Sequence, residues 1–112
     1  MALGRHSTAW DISLWARRAD AAEEAARVLP HCAVSTNLSE VVESCDLAVL
    51  CTSPHAIATA GLELKKLLPP SAIVTDAGSV KEKIVTALEA DLGGRFVGAH
   101  PMAGSEQSGI QA

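Results

Sequence analysis

Two short segments carry the residues of this chain that are best suited to proton transfer. Ser79 lies in Asp76-Ala77-Gly78-Ser79-Val80-Lys81, and His100 lies in Gly98-Ala99-His100-Pro101-Met102-Ala103-Gly104-Ser105-Glu106. A histidine accepts protons near neutral pH, because its unperturbed pKa is about 6.5. Each segment follows a short apolar run, and loops that leave the carboxyl ends of parallel strands are where ligands bind. We therefore expect a site near Ser79 and His100.

Apolar runs alternate with helical patterns along the chain, which predicts βαβ units, a parallel sheet and an α/β fold. The run Asp46–Cys51 is almost wholly apolar, so we expect that strand to be buried on both faces. Asp20 with Glu23, and Asn37 with Glu40, have capping-box spacing at predicted helix starts. The predicted strands are Asp11–Ala16, Ala33–Ser35, Asp46–Cys51, Ala72–Thr75 and Arg95–Gly98, and the helices lie between them.

The candidate catalytic residues also have structural interpretations. Ser79 with Glu82 matches a capping box. His100 stands at a strand end, where Pro101 holds it extended, and such a histidine is often structural. Glu106 is either a solvated loop charge or a carboxylate that raises the proton affinity of His100. The residues alone leave these alternatives open.

Candidate cofactor contacts follow two of the predicted strands. Thr52, Ser53 and Pro54 begin a helix after a buried strand, where a helix N-terminus can meet a ribose or phosphate. Simple capping explains Thr52 and Ser53 equally well. In the second loop, Asp76, Gly78 and Ser79 are the candidates, with Gly78 allowing close approach of the backbone to a ligand.

The first predicted strand ends at Ala16, followed by Arg17 and Arg18. A dinucleotide-binding sheet that uses NAD carries a carboxylate at this place for the ribose 2′-hydroxyl, and the place here is occupied by Ala16. An arginine pair without that carboxylate can accept a 2′-phosphate, which favours NADP over NAD. Two solvated arginines before a helix are the alternative.

Composition excludes several classes of protein. The 112 residues fit one domain, and a net charge of −4 offers no basic surface for nucleic acid. The cysteines Cys32, Cys45 and Cys51 form no CxxC pair, which predicts reduced thiols and no metal site. Cys51 is interpreted as a buried small hydrophobic residue. The sequence lacks a long apolar run and a signal-peptide pattern, so we expect no membrane association and a cytoplasmic location.

With these motifs in place, the chain resembles the nucleotide-binding domain of the prephenate and arogenate dehydrogenases from its first strand to its last residue. Both segments quoted above look like that family's signature loops, in order and at the family's spacing. The resemblance implies a Rossmann-like doubly wound sheet and oxidative decarboxylation of prephenate or arogenate in tyrosine biosynthesis, with hydride transfer to NAD(P)+. It implies that His100 accepts the proton of the ring 4-hydroxyl. It also implies that Ser79 bonds near that hydroxyl and the nicotinamide, and that Glu106 lies near the pocket mouth.

The chain departs from the family pattern at both ends. We expect the family's first strand and glycine-rich loop, and the helical region that in the family completes the substrate pocket and forms the dimer, to lie outside residues 1–112. We therefore expect residues 1–112 to be a partial dinucleotide-binding domain of a homodimeric parent enzyme, inactive alone and marginally stable or self-associating. In the usual strand order that first strand is central, so without it strands on either side lose their shared neighbour.

The sequence is also compatible with two rival functions. One is an NADP-linked dehydrogenase of the β-hydroxyacid type, whose catalysis would rest on a lysine in a later domain, and the loop with His100 and Glu106 argues against it. The other is a non-catalytic nucleotide-binding module or degenerate fragment, which would not need both Ser79 and His100. Tight NADP binding without turnover in the complete protein would favour the latter.

Overall fold

The computed structural model describes residues 10–78 and 81–99, which fall into two compact units. The first unit contains described residues 10–41, and the second contains 42–78 and 81–99. The strands are β1 (Ser13–Trp15), β2 (Ala33–Ser35), β3 (Leu47–Leu50), β4 (Ile73–Asp76) and β5 (Phe96–Gly98). The helices are α1 (Ala19–Val28), α2 (Leu38–Val42), α3 (Pro54–Leu67) and α4 (Lys81–Leu92), with a short 3-10 turn at Gly93–Arg95. Each predicted strand is confirmed, with a shorter span for most.

In the first unit, β1 and β2 pair in parallel with Ser13 opposite Ala33 and Trp15 opposite Ser35. The Trp15 indole N–H donates to the Thr36 carbonyl at 3.0 Å, which anchors the half-buried ring beside β2. The indole therefore adds a side-chain tie to a strand pair that is only three residues long.

The start of α1 corrects one prediction. Arg18, in extended conformation, is the N-cap residue, so Asp20 lies inside the first turn and the predicted Asp20–Glu23 capping box is wrong. The Asp20 carboxylate instead forms an ion pair with Arg18, in which Nη2 of Arg18 and Oδ2 of Asp20 are 3.0 Å apart. A negative charge in the first turn also complements the positive N-terminal end of the helix dipole.

The predicted cap at α2 is confirmed in part. Asn37 Oδ1 accepts the backbone N–H of Ser39 at 3.2 Å, as an N-cap side chain should. The Glu40 carboxylate, however, accepts from the Asn37 side-chain amide at 3.0 Å and from the Ser35 hydroxyl at 2.8 Å. Glu40 thus fixes the capping side chain and the end of β2, a role different from the backbone bond of a capping box.

In the second unit, β3, β4 and β5 form a parallel sheet in that order. Leu50 is opposite Asp76, and Asp76 is opposite Gly98, so the three carboxyl ends are aligned. Helices α3 and α4 pack on each other, and a Cβ atom on Gly61 would overlap the Leu88 side chain, which explains the glycine in α3. The buried apolar residues of the strands and these helices are Leu50, Ile57, Leu64, Val74, Ile84, Leu88, Leu92 and Phe96.

The opposite face of this sheet carries four exposed apolar side chains. Alternate residues of a strand point to opposite faces, and this set comprises Leu47, Val49, Ile73 and Val97, which are 38% to 56% exposed. The expectation that Asp46–Cys51 is buried on both faces is therefore wrong. The physical reason is that the residues buried with α3 and α4 belong to only one of the two alternating sets.

The described strands form two separate sheets, one in each unit. Within the described ranges, no helix is both long and apolar enough to cross a bilayer.

Candidate functional site

The carboxyl ends of β4 and β5 are joined by one buried carboxylate. Asp76, the last residue of β4, is 1% exposed. Its Oδ2 accepts the backbone N–H of Gly78 at 2.9 Å, and its Oδ1 accepts that of Ala99 at 3.3 Å. A single side chain thereby connects the loop that leaves β4 with the loop that leaves β5.

Local chemistry explains why the chain turns at Asp76. An aspartate side chain readily accepts the N–H two residues ahead, which is the bond made to Gly78. The pairing with β3 also continues past the strand, since the Ala77 N–H donates to the Leu50 carbonyl at 3.0 Å. A buried carboxylate is costly unless it is hydrogen-bonded, and the N–H groups of Gly78 and Ala99 help to permit the burial of Asp76.

Gly78 is confined by the protein itself. A Cβ atom there would lie 2.8 Å from Ile84 Cδ1, 3.0 Å from Ile57 Cδ1 and 3.1 Å from Asp76 Oδ2. The sequence alone suggests close approach of a ligand at this glycine, whereas the structure puts Ile57, Ile84 and the Asp76 carboxylate close to the position that a Cβ would take. A cofactor contact at Gly78 stays a prediction.

The carboxyl end of β3 presents two exposed hydroxyl groups, on Thr52 and Ser53. Ser53 is the N-cap residue of the 14-residue helix α3, with Pro54 in the first turn as predicted, but its hydroxyl makes no capping bond. The Ser53 carbonyl instead accepts the N–H groups of Ala56 and Ile57, at 2.9 and 3.1 Å. Capping therefore explains the place of Ser53 in the fold but not the use of its hydroxyl.

Cys51, beside these hydroxyls, is exposed, so its interpretation as a buried residue is wrong. Partial desolvation nevertheless raises the pKa of its thiol, and the negative charge of Asp76 acts in the same direction. A thiol held protonated is a poor nucleophile. Cys51 is accordingly a poor candidate for covalent chemistry.

In the first unit, the residues after β1 form a separate charged segment. Ala16 continues the strand pairing, with its N–H 3.2 Å from the Ser35 carbonyl. Arg17 and Arg18 are exposed, and the Arg18 guanidinium forms an ion pair with Asp20. These residues are available to solvent, as a phosphate-binding pair must be.

The structure thus places Asp76 and Gly78 together, with Thr52 and Ser53 at the end of the neighbouring strand in the same unit. Ser79, His100 and Glu106 lie outside the described residues. Sequence reasoning missed the bond from Asp76 to Ala99, whose only signal was a polar residue ending an apolar run. In the part of the chain that is described, no group of three histidine, cysteine, aspartate or glutamate residues could hold a metal ion.

Parallel strands with helical crossovers, and polar loops at the strand carboxyl ends, define a Rossmann-like α/β protein of the nucleotide-binding class. Comparison with known proteins narrows this class. The family model described as "Prephenate dehydrogenase, nucleotide-binding domain" matches residues 1–112. The chain belongs to this family.

Individual relatives agree with the family match. A crystal structure of prephenate dehydrogenase from A. aeolicus, in complex with hydroxyphenyl propionate and NAD+, has a TM-score of 0.86 and 31% identity, covering 98% of this chain and 39% of that one. Synechocystis arogenate dehydrogenase has a TM-score of 0.84 and 28% identity, with coverage of 96% and 38%. Cyclohexadienyl dehydrogenase of Zymomonas mobilis is 30% identical over 80 residues, which are 70% of this chain and 27% of that protein. The chain therefore spans well under half the length of these relatives.

Proposed function

We propose that this chain is the nucleotide-binding domain of a dehydrogenase that oxidatively decarboxylates prephenate or arogenate, with hydride transfer to NAD+ or NADP+. The observation that carries the proposal is the Asp76 carboxylate, which joins the two motif loops at the aligned carboxyl ends of β4 and β5. The family match and the NAD+ bound in the A. aeolicus relative support it.

In this proposal, His100 is the base that accepts the proton of the substrate's ring hydroxyl. Ser79 donates a hydrogen bond to the same oxygen, where negative charge develops as the proton leaves. A bound nicotinamide would supply the hydride acceptor for the ring carbon that bears this hydroxyl. Cleavage of the bond to the carboxylate would then release carbon dioxide, the electron pair of that bond would complete the aromatic ring, and the ring oxygen would take back a proton from His100. Glu106 is assigned to the mouth of the same pocket.

Cofactor binding is assigned to the loops after three strands. The exposed Thr52 and Ser53 hydroxyls, at the N-terminus of α3, fit a ribose or phosphate. Pro54, Gly78 and Ser79 complete the set in the second unit, and Asp76 supports the loop that carries Gly78. At the end of β1, Arg17 and Arg18 follow Ala16, so the segment offers positive charge without a carboxylate at the strand end and favours NADP.

The proposal extends to the parent protein. Residues 1–112 form part of its dinucleotide-binding domain, and a helical region of the kind expected from the family completes the substrate pocket and the homodimer. The parent is proposed to act in the cytoplasm on a small-molecule substrate.

The catalytic assignment is tested by His100→Asn in the full-length dehydrogenase. We expect kcat to fall by about 10²- to 10⁴-fold, because a positioned general base contributes that much. The dissociation constant of the cofactor, measured by fluorescence titration, should stay at its wild-type value. Near-normal turnover would remove His100 from the mechanism.

The cofactor assignment is tested by Arg17→Ala and Arg18→Ala, with Arg27→Ala in the last turn of α1 as the control. Loss of a charged hydrogen bond to the 2′-phosphate should weaken NADP+ binding by about 10- to 100-fold and leave NAD+ binding unchanged. Equal weakening of both cofactors, or a matching effect in Arg27→Ala, would contradict the NADP preference.

A further inference from the structure

The Asp76 carboxylate is placed to control the backbone directly before each proposed catalytic residue. Gly78 precedes Ser79 in the chain, and Ala99 precedes His100. The Gly78 N–H donates to Oδ2 of Asp76, and the Ala99 N–H donates to Oδ1. These two donors are 21 residues apart in the chain, yet they bond to one side chain.

We propose that Asp76 is a positioning residue, whose carboxylate holds the loops of Ser79 and His100 in fixed register with each other. This inference rests on the proposed function, since it gives the two hydrogen bonds of Asp76 a role in the proposed reaction. The sequence alone predicts a direct cofactor contact for Asp76. Its burial and its two backbone donors support action through the loops instead.

The side chain at this position is matched to the task. An ionised aspartate is an acceptor at both oxygens, whereas asparagine offers one acceptor oxygen and an NH2 group that cannot accept. Asp76→Asn can therefore satisfy one of the two loops and must release the other. The tight contacts around Gly78 leave the β4 loop little room to compensate by shifting toward α3 or α4.

Loss of one of the two hydrogen bonds to Asp76 should lower turnover more than it weakens substrate or cofactor binding. Misplacement of reacting groups by about 1 Å can lower a rate by about 10²-fold, even when the change is remote from the chemistry. Because neither oxygen of Asp76 is assigned to substrate or cofactor here, the variant should keep the wild-type KM for both while kcat falls.

The test compares Asp76→Asn with Thr75→Val in the full-length dehydrogenase. Thr75 Oγ1 donates to the Val97 carbonyl at 2.6 Å, so Thr75→Val removes a neighbouring tie between β4 and β5 and leaves the carboxylate in place. We expect Asp76→Asn to lower kcat by about 10- to 100-fold with KM unchanged, and Thr75→Val to keep the wild-type kcat. Equal losses in both variants would overturn the inference, because general weakening of the sheet would then explain them.

A second readout is independent of activity. In the wild-type protein, amide hydrogen exchange should be slow at Gly78 and Ala99, and in Asp76→Asn at least one of these two amides should exchange faster. Fast exchange at both amides in the wild type would overturn the inference even if the variant failed to fold. If His100→Asn abolishes turnover while Asp76→Asn keeps the wild-type kcat, the positioning role is wrong and the proposed function stands. If His100→Asn retains turnover, the proposed function itself fails.

Discussion

The two units of this protein differ in what holds their loops in place. In the second unit, the loops after β4 and β5 are anchored by a carboxylate that is 1% exposed and lie on a core of fully buried side chains such as Val74 and Leu88. Among the described residues of the first unit, Ala25 is the buried apolar residue, and the loop after β1 carries an ion pair whose side chains are 69% and 70% exposed.

This difference matches the demands of the two proposed tasks. Proton and hydride transfer require groups fixed to within about 0.5 Å, which needs a rigid supporting shell. Recognition of a phosphate by arginine depends on charge and on hydrogen bonds made by long side chains, which adapt to the ligand. Substitutions should therefore cost stability in the second unit and change ligand preference in the first.

The largest effect is expected from Leu88→Ala in the core of the second unit. Leu88 is 0% exposed, and removing a fully buried leucine side chain costs about 2–5 kcal/mol. Leu29→Ala, at the half-buried C-cap of α1, is the matched change in the first unit and should cost less. Denaturant titration provides the measurement, with circular dichroism reporting on all the helices.

Tryptophan fluorescence sharpens this test, because the chain's two tryptophans, Trp10 and Trp15, both lie in the first unit. Leu88→Ala should move the circular dichroism transition further than the fluorescence transition. Equal losses from Leu88→Ala and Leu29→Ala would show that the two units are equally dependent on packing.

An intermediate effect is expected from Gly78→Ala. The added methyl group would meet Ile84, Ile57 and the Asp76 carboxylate, and such overpacking costs about 1–3 kcal/mol. The control is Gly94→Ala, since nothing lies within 4 Å of the position its Cβ would take. Thermal unfolding of both variants measures the difference, and a Gly78→Ala variant as stable as Gly94→Ala would contradict the close packing of the β4 loop.

The smallest effect concerns pH. Desolvation raises the pKa of the Cys51 thiol in the folded protein, and the charge of Asp76 acts in the same direction. The contribution of this thiol to the free energy of unfolding is complete at pH values below its unfolded-state pKa. It is lost as the pH rises through its folded-state pKa. The free energy of unfolding should therefore fall with rising pH across that alkaline window, as measured by urea titrations at a series of pH values.

Cys51→Ser should remove part of this slope. Cys45, whose pKa is also raised, mainly by burial, contributes to the slope as well. Alkylation by iodoacetamide provides a direct check, since Cys51 should react faster in Asp76→Asn than in the wild type at the same pH. An unchanged rate would show that Asp76 has no electrostatic influence on the thiol.

Local patterns made the elements predictable, and long-range geometry limited the rest. The apolar runs predicted every described strand, and Asn37 could be recognised as a cap because its partner Ser39 is two residues away. The start of α1 was misplaced because capping spacing also occurs inside a first turn, as it does at Asp20. An apolar run alone does not reveal which strand face is covered, so Leu47 and Val49 were wrongly expected to be buried.

The candidate site shows the same division. The motifs identified Asp76 and Gly78 as important, but the bond from Asp76 to Ala99 depends on the register of β4 and β5. No spacing rule relates residues that are joined only through strand pairing. The roles given to Ser79, His100 and Glu106 rest on the family resemblance and stay predictions.

The exposed apolar face of the β3–β4–β5 sheet has a calorimetric consequence. Heat capacity rises on unfolding because apolar surface becomes hydrated, and Leu47, Val49, Ile73 and Val97 are already partly hydrated in the folded chain. This chain should therefore unfold with a heat capacity increment below the usual value of about 12–15 cal/mol/K per residue. Anything that covers this face in a larger protein would raise the increment, so differential scanning calorimetry would measure how much of the sheet has become interior.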